Sequence, residues 1–180
     1  MSAALEGNDA VLARARAIRL LTCDVDGVLT DGKLYVGDDG RELKAFHVLD
    51  GVGIKRCTEI GIVIAWISGS EAPAIKHRAR HLGVARVILG AEDKLIPWER
   101  LRTELGFAPA ECAHIGDDVP DVPVLQRCGL AATVPHAPPE VLALAHVVTR
   151  RDGGAGAVRE LCDLLLAARG AGQRYAISGA

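Results

Sequence analysis

Carboxylates, one hydroxyl and one ammonium recur near the ends of short apolar runs in this chain, in an order that suggests joint chemistry. Asp24-Val25-Asp26-Gly27 follows the first run and Ser68-Gly69 the second. Asp93-Lys94 lies between the third and fourth runs, and Gly116-Asp117-Asp118 follows the fourth, with Asp121 shortly after. Taken singly, each has an ordinary explanation. An Asp-x-Asp closes turns and caps helices, a Ser-Gly serves as an N-cap, and a single Lys is usually solvated surface. Taken together, several carboxylates at one place repel one another unless a cation sits among them. Oxygen ligands of this kind suit a hard ion, and Mg2+ fits best.

Such a group is equipped to attack phosphorus. A carboxylate becomes a competent nucleophile toward a phosphoryl group once both charges are neutralised, which a bridging divalent ion does. A second carboxyl two residues along, on the other side of the turn, is placed to protonate the leaving oxygen and then to deprotonate a water. A hydroxyl and an ammonium group hold the remaining phosphoryl oxygens.

To gather these residues the chain needs a sheet whose strand ends meet. The apolar runs 18–23, 61–67, 85–89, 112–115, 130–134 and 145–149 read as strands. The run 61–67 is almost continuously apolar, as expected of a strand buried on both faces. Residues 72–82, 95–105, 119–128 and 139–144 read as helices between them. Residues 157–168, with Val158, Leu161 and Leu165 at helical spacing, close the domain. This alternation predicts a doubly wound, Rossmann-like α/β fold with a parallel sheet, in which ligands bind beyond the carboxyl ends of the strands. One segment departs from the alternation: residues 33–46, with Gly37-Asp38-Asp39-Gly40 at the centre, read as a β-hairpin after the first strand. Residues 1–17 form a helical extension, 18–169 the domain, and 170–180 a small, polar, flexible tail.

The bulk composition excludes several other classes. A length of 180 residues suits one domain with a sizeable core, and a formal charge of −2 gives no reason to expect nucleic acid or an anionic membrane as partner. Aromatics at 3% leave few platforms for stacking single-stranded bases. No apolar run reaches the length of a membrane span, and Glu6, Asp9, Arg14 and Arg16 interrupt the N-terminal stretch where a secretory signal would be apolar. A cytoplasmic location is therefore expected. The five cysteines are dispersed without a C-x-x-C pair and read as small core residues rather than zinc ligands.

Asp24-Val25-Asp26-Gly27-Val28-Leu29-Thr30-Asp31-Gly32 resembles the first motif of the haloacid dehalogenase superfamily of phosphatases. Ser68, Lys94 and Gly116-Asp117-Asp118-x-x-Asp121 are similar to its second, third and fourth motifs. The resemblance implies Asp24 as nucleophile, Asp26 as general acid/base, and Ser68 and Lys94 as phosphoryl ligands. It implies a metal held by Asp24, Asp117 and the Asp26 backbone carbonyl, with Asp118 and Asp121 supporting Lys94 and the metal waters. Substrate-selecting caps of this superfamily are inserted after the first motif or between the second and third. Here the first interval has room for the hairpin and one helix, and the second for a helix and a strand, so no cap is expected.

Among capless members the chain resembles the 3-deoxy-D-manno-octulosonate 8-phosphate phosphatase family. Lys44-Ala45-Phe46-His47 with Asp50-Gly51, and Gly153-Gly154-Ala155-Gly156-Ala157-Val158-Arg159-Glu160, carry the likeness. It implies a phosphorylated sugar-acid substrate and a homotetramer in which hairpins and tails cover neighbouring sites. The candidate substrate-binding set is Ser68, Gly69, Lys94, His47, Asp50 and Arg78. Three departures run in one direction: Leu49, Ser70 and Ala155 stand where the family commonly has arginine, and each removes a cation that an acidic substrate would use. Lys76, Arg78 and Arg80, or Arg41 and Lys44, are the available substitutes. His47, where octulosonate phosphatases usually carry Asn, leans toward a nonulosonate 9-phosphate. A receiver-like domain and a non-catalytic assembly module are the competing classes. The first lacks a second acidic cluster after its Lys, and the second would not need the intact Asp24, Asp26, Lys94 and Asp117.

Overall fold

The computed structural model describes residues 9–171. In chain order the elements are α1 (Asp9–Ala17), β1 (Leu20–Cys23), β2 (Tyr35–Val36), β3 (Glu42–Leu43), α2 (Val48–Glu59), β4 (Val63–Ile67), α3 (Pro73–Leu82) and β5 (Arg86–Ile88). They continue with α4 (Leu95–Glu104), β6 (Cys112–Ile115), α5 (Val122–Leu125), β7 (Leu130–Thr133), α6 (Pro139–Leu142), β8 (Val147–Val148) and α7 (Ala157–Ala168). Six strands form one parallel sheet in the order β5-β4-β1-β6-β7-β8. The chain builds outward from β1 through β4 and β5, then returns to β1's other side with β6. This reversal makes the carboxyl end of β1 the switch point where a doubly wound sheet opens a crevice.

The strand runs are apolar on both faces because both faces are covered. Leu21 and Cys23 of β1, Ile64 and Trp66 of β4, and Ala113 and Ile115 of β6 pack with α1, α2, α3 and α7. The alternate residues Leu20, Ala65, Ile67 and Cys112 pack with α4, α5 and α6. Burying one such aliphatic side chain contributes about 1.5–3 kcal/mol, so these strands are held by two layers at once. In the three central strands two polar residues interrupt this pattern, Thr22 and His114, which are register partners on adjacent strands and both wholly buried.

The expected elements are present, with shorter strands than the apolar runs suggested. The largest difference is at 119–128, expected as one helix. Val119–Asp121 is instead a 3-10 turn, followed by the single-turn α5. Pro120 and Pro123 supply no N–H to a continuous helix, and Asp118 caps the turn through Val119 N at 2.7 Å. The hairpin is also reduced: only Tyr35–Leu43 and Val36–Glu42 pair, closed by Gly37 N donating to Arg41 O at 2.9 Å. Neither interval between the motif residues contains a further domain. Residues 1–8 of the expected extension, and 172–180 of the expected tail, lie outside the described residues.

Candidate active site

Asp24 stands one residue beyond β1, and its N–H donates to Ile115 O of β6 at 2.9 Å, which fixes the nucleophile candidate between the two strands. The chain then turns through Gly27 in the left-handed region, φ +90°. A Cβ at Gly27 would collide with the Asp117 carboxylate, so glycine there lets the loops after β1 and β6 close on each other. Gly116 serves the same loop from beneath, because a Cβ on it would strike the Asp121 carboxyl.

Lys94 is the hub of the site. Its buried Nζ donates to Asp24 Oδ1 at 2.5 Å and to Asp121 Oδ1 at 2.8 Å. Burial alone would lower the lysine's pKa, but the two carboxylates overcome it and hold the group above its ordinary value, as an ammonium. Asp121 is 1% exposed and fully engaged. Oδ1 accepts from Lys94 and lies 2.9 Å from His114 Nε2, while Oδ2 accepts from the backbone N–H of Asp117 at 3.2 Å and Asp118 at 3.4 Å. Burial would raise this carboxyl, yet the His114 and Lys94 donors leave it below the ordinary range.

Asp24 and Asp117 have no such surplus of donors. Burial, opposed by Lys94 and aided by Asp121 and Asp117, pushes Asp24 up to about 8. Burial and Asp121 push Asp117 up to about 6. Ligand atoms of Asp24, Asp117 and Asp121 lie within 4.8 Å of one another. Since Asp121 is already occupied by four hydrogens, Asp24 and Asp117 are the carboxylates free to hold a cation. A close pair of under-compensated, half- to fully buried carboxylates is the donor set that a hard divalent ion satisfies.

Of the remaining candidate residues, Ser68 is buried at the end of β4 with Oγ accepting from Ser70 N at 3.0 Å, which leaves its hydroxyl hydrogen free to donate. Asp26 is half-buried and takes a partner that sequence reasoning had assigned only as a spare cation. Lys44 Nζ, on a side chain only 3% exposed, lies 2.5 Å from Asp26 Oδ1. Asp118 is exposed and caps the 3-10 turn; its side chain accepts from Val119 N, and the second carboxylate on Lys94 is Asp121.

The expected substrate-binding group is more dispersed. Gly69 is exposed beside Ser68. His47 caps α2, its Nδ1 accepting from Leu49 N at 3.3 Å. Asp50 is buried against the N-terminus of α7, where Oδ1 accepts from Arg159 N at 2.7 Å and Oδ2 has no protein partner. Burial raises the Asp50 pKa. Arg78 comes from α3, and it lies with His47, Asp50, Gly51, Phe46 and Trp66 around a shallow surface depression. The glycine-rich segment 153–156 packs on the chain's own first loop, with Gly154 N donating to Val28 O at 3.0 Å.

Two residues were missed at the sequence level. His114 is one, and its signal was a lone imidazole in a wholly buried strand immediately before Gly-Asp-Asp. Thr22 is the other, a polar residue in the first strand.

Comparison with known proteins agrees with this geometry. Residues 51–129 match the family model of haloacid dehalogenase-like hydrolases. The 3-deoxy-D-manno-octulosonate 8-phosphate phosphatase of Yersinia pestis is 47% identical over 161 residues, covering 89% of this chain and 86% of that protein. Its crystal structure superposes with a TM-score of 0.90 over 92% of this chain and 90% of its own. The Moraxella catarrhalis phosphatase of the same name, solved with magnesium, phosphate and a KDO molecule, is 38% identical over 88% of this chain and 91% of its own, with a TM-score of 0.86. The chain is a phosphoric monoester hydrolase of the haloacid dehalogenase superfamily and belongs, within it, to the capless 3-deoxy-D-manno-octulosonate 8-phosphate phosphatase family.

Proposed function

We propose that this enzyme hydrolyses 3-deoxy-D-manno-octulosonate 8-phosphate to 3-deoxy-D-manno-octulosonate and phosphate, with Mg2+, through a phospho-aspartate on Asp24. The observation that carries the mechanism is the Lys94 bridge, which holds one oxygen of Asp24 at 2.5 Å within the cluster that also contains Asp117 and Asp121. Asp24 and Asp117, with the Asp26 backbone carbonyl, would hold the ion. When bound, it neutralises the nucleophile and the phosphoryl oxygens. The other Asp24 oxygen forms the bond to phosphorus as the ester oxygen leaves. Asp26 gives that oxygen a proton and, in the second half-reaction, takes one from the water that cleaves the acyl phosphate. The Ser68 hydroxyl and the Lys94 ammonium hold the non-bridging oxygens.

The substrate assignment is supported by relatives of that name at close to half identity. A nonulosonate 9-phosphate is the second reading, favoured by one observation: Leu49, Ser70 and Ala155 stand at three positions where the family commonly has arginine. We further propose a homotetramer in which hairpins cover neighbouring sites. Leu34, Val36, Leu43 and Val48 are each at least 62% exposed in the single chain and would be covered in such an assembly. A cytoplasmic location accords with five buried free thiols, which suit a reducing compartment.

The test is phosphate release, with Mg2+ and with EDTA, from octulosonate 8-phosphate, two nonulosonate 9-phosphates and neutral hexose phosphates. Preference for the octulosonate ester, abolished by EDTA, supports the assignment. A better nonulosonate substrate transfers it, and activity undiminished by EDTA contradicts the metal.

A further inference from the structure

His114 has no place in the mechanism described so far, yet it is wholly buried and joined to the catalytic group. It lies in β6 beside Thr22 of β1, its register partner, and its Nδ1 is 2.8 Å from Thr22 Oγ1. Its Nε2 is 2.9 Å from Asp121 Oδ1. An ionised carboxylate only accepts, so Nε2 carries the hydrogen whichever way the Thr22 hydroxyl points. A continuous line of side chains therefore runs from the sheet interior to the nucleophile: Thr22, His114, Asp121, Lys94, Asp24.

We propose that His114 is a positioning residue, whose Nε2–H pins the Asp121 carboxylate as the fixed acceptor for Lys94 and so sets the lysine against Asp24. The inference rests on the phospho-aspartate reading and deepens it. Its physical content is a choice among three neighbouring carboxylates. The Asp121 ligand atom lies within 4.8 Å of those of Asp24 and Asp117, close enough for all three to share one cation. A charge-assisted hydrogen bond from a ring held on both sides reserves Asp121 for Lys94. Without it, the carboxylate has one strong side-chain donor fewer and freedom to rotate toward a cation. Lys94 then loses one of the two anchors that fix its Nζ.

The test compares two polar replacements of similar size. In His114→Gln the terminal amide reaches the place of Nε2 and retains the donor to Asp121. In His114→Asn the amide reaches only the Nδ1 position, retaining Thr22 and losing Asp121. With saturating Mg2+ and p-nitrophenyl phosphate, His114→Asn is expected to lose roughly 10- to 100-fold in kcat with KM within about threefold, since misplacing a reacting group acts mainly on kcat. His114→Gln is expected to stay within about fivefold of the parent kcat. Equal kcat in both variants and the parent, with only the melting temperature changed, overturns the proposal, as does an equal loss in both. Should His114→Asn fail to fold, Thr22→Val is measured beside His114→Gln. A several-fold drop in kcat for Thr22→Val with Gln retained supports the line of contacts, and unchanged kcat overturns it. Asp24→Asn run in parallel separates the two levels. If that variant turns over, the phospho-aspartate reading fails. If it is inactive while His114→Asn is not, only the role of His114 fails.

Discussion

The strand-end cluster and the hairpin rim are built on opposite principles. Around Lys94, the side chains that anchor the proposed nucleophile Asp24 are partnered inside one chain, under nearly complete burial. The hairpin pairs only two residues on each side and presents Leu34, Val36 and Leu43 to solvent. A two-stranded ribbon of that length is marginal by itself. The chemistry of the cluster is thus held within one chain, whereas in the proposed homotetramer the exposed hairpin surface would be completed by a neighbouring copy. A single lysine joins the two regions: Lys44, adjoining β3, holds Asp26.

The contrast can be broken at either end, and the largest effect belongs to the cluster. Asp24→Asn removes the proposed nucleophile without changing its size, so turnover should fall by at least about 10^4-fold while the fold survives, read by phosphate release and circular dichroism. At the rim, Leu34→Asp with Leu43→Asp places charge on the exposed ribbon. The expected result is a smaller particle by light scattering and a loss of about 10^2-fold in kcat/KM on the sugar-acid phosphate, with p-nitrophenyl phosphate affected far less. Equal losses on both substrates would show that the rim serves the chemistry. Between the two regions, Lys44→Met leaves Asp26 without its ammonium partner and should lower kcat by about tenfold.

The smallest effect is on stability. Asp24 and Asp117 titrate at about 8 and about 6, above the unfolded carboxyl value near 3.9. Between those values the native protein keeps protons that the unfolded chain has released, so the metal-free protein loses stability as pH rises through that window. A cation competes with the same protons. The rise in Tm on adding Mg2+ should therefore be larger at pH 8 than at pH 6, measured by thermal melting against EDTA. An equal rise at both would place the ion away from these carboxylates.

Much of the cluster was legible in the sequence because backbone position decides it. A residue just beyond the carboxyl end of a central parallel strand faces the crevice, so Asp24, Ser68 and Asp117 followed from the strand runs and their order, whereas Lys94, six residues past the edge strand β5, rested on the order of the motifs. Side-chain competition was not legible. Asp118 and Asp121 look equivalent along the chain, but the turn forced by Pro120 leaves Asp118 exposed and buries Asp121 against Lys94. His114 was hidden because a buried strand is read as apolar, and its partners come from other elements. Asp50 and His47 were assigned to substrate from motif position. The folded chain adds a local task for each, at the N-termini of α7 and α2, that spacing alone does not reveal.

The central claim is that Asp24 carries the phosphoryl group. It is tested most directly by mixing the Asp26→Asn variant with octulosonate 8-phosphate and Mg2+, quenching rapidly, and locating the adduct by mass spectrometry of peptides. One phosphoryl group confined to the peptide containing Asp24, and absent when Asp24→Asn is added to the same variant, is the predicted result. Turnover by the parent enzyme with no adduct, or an adduct on another residue, would contradict it.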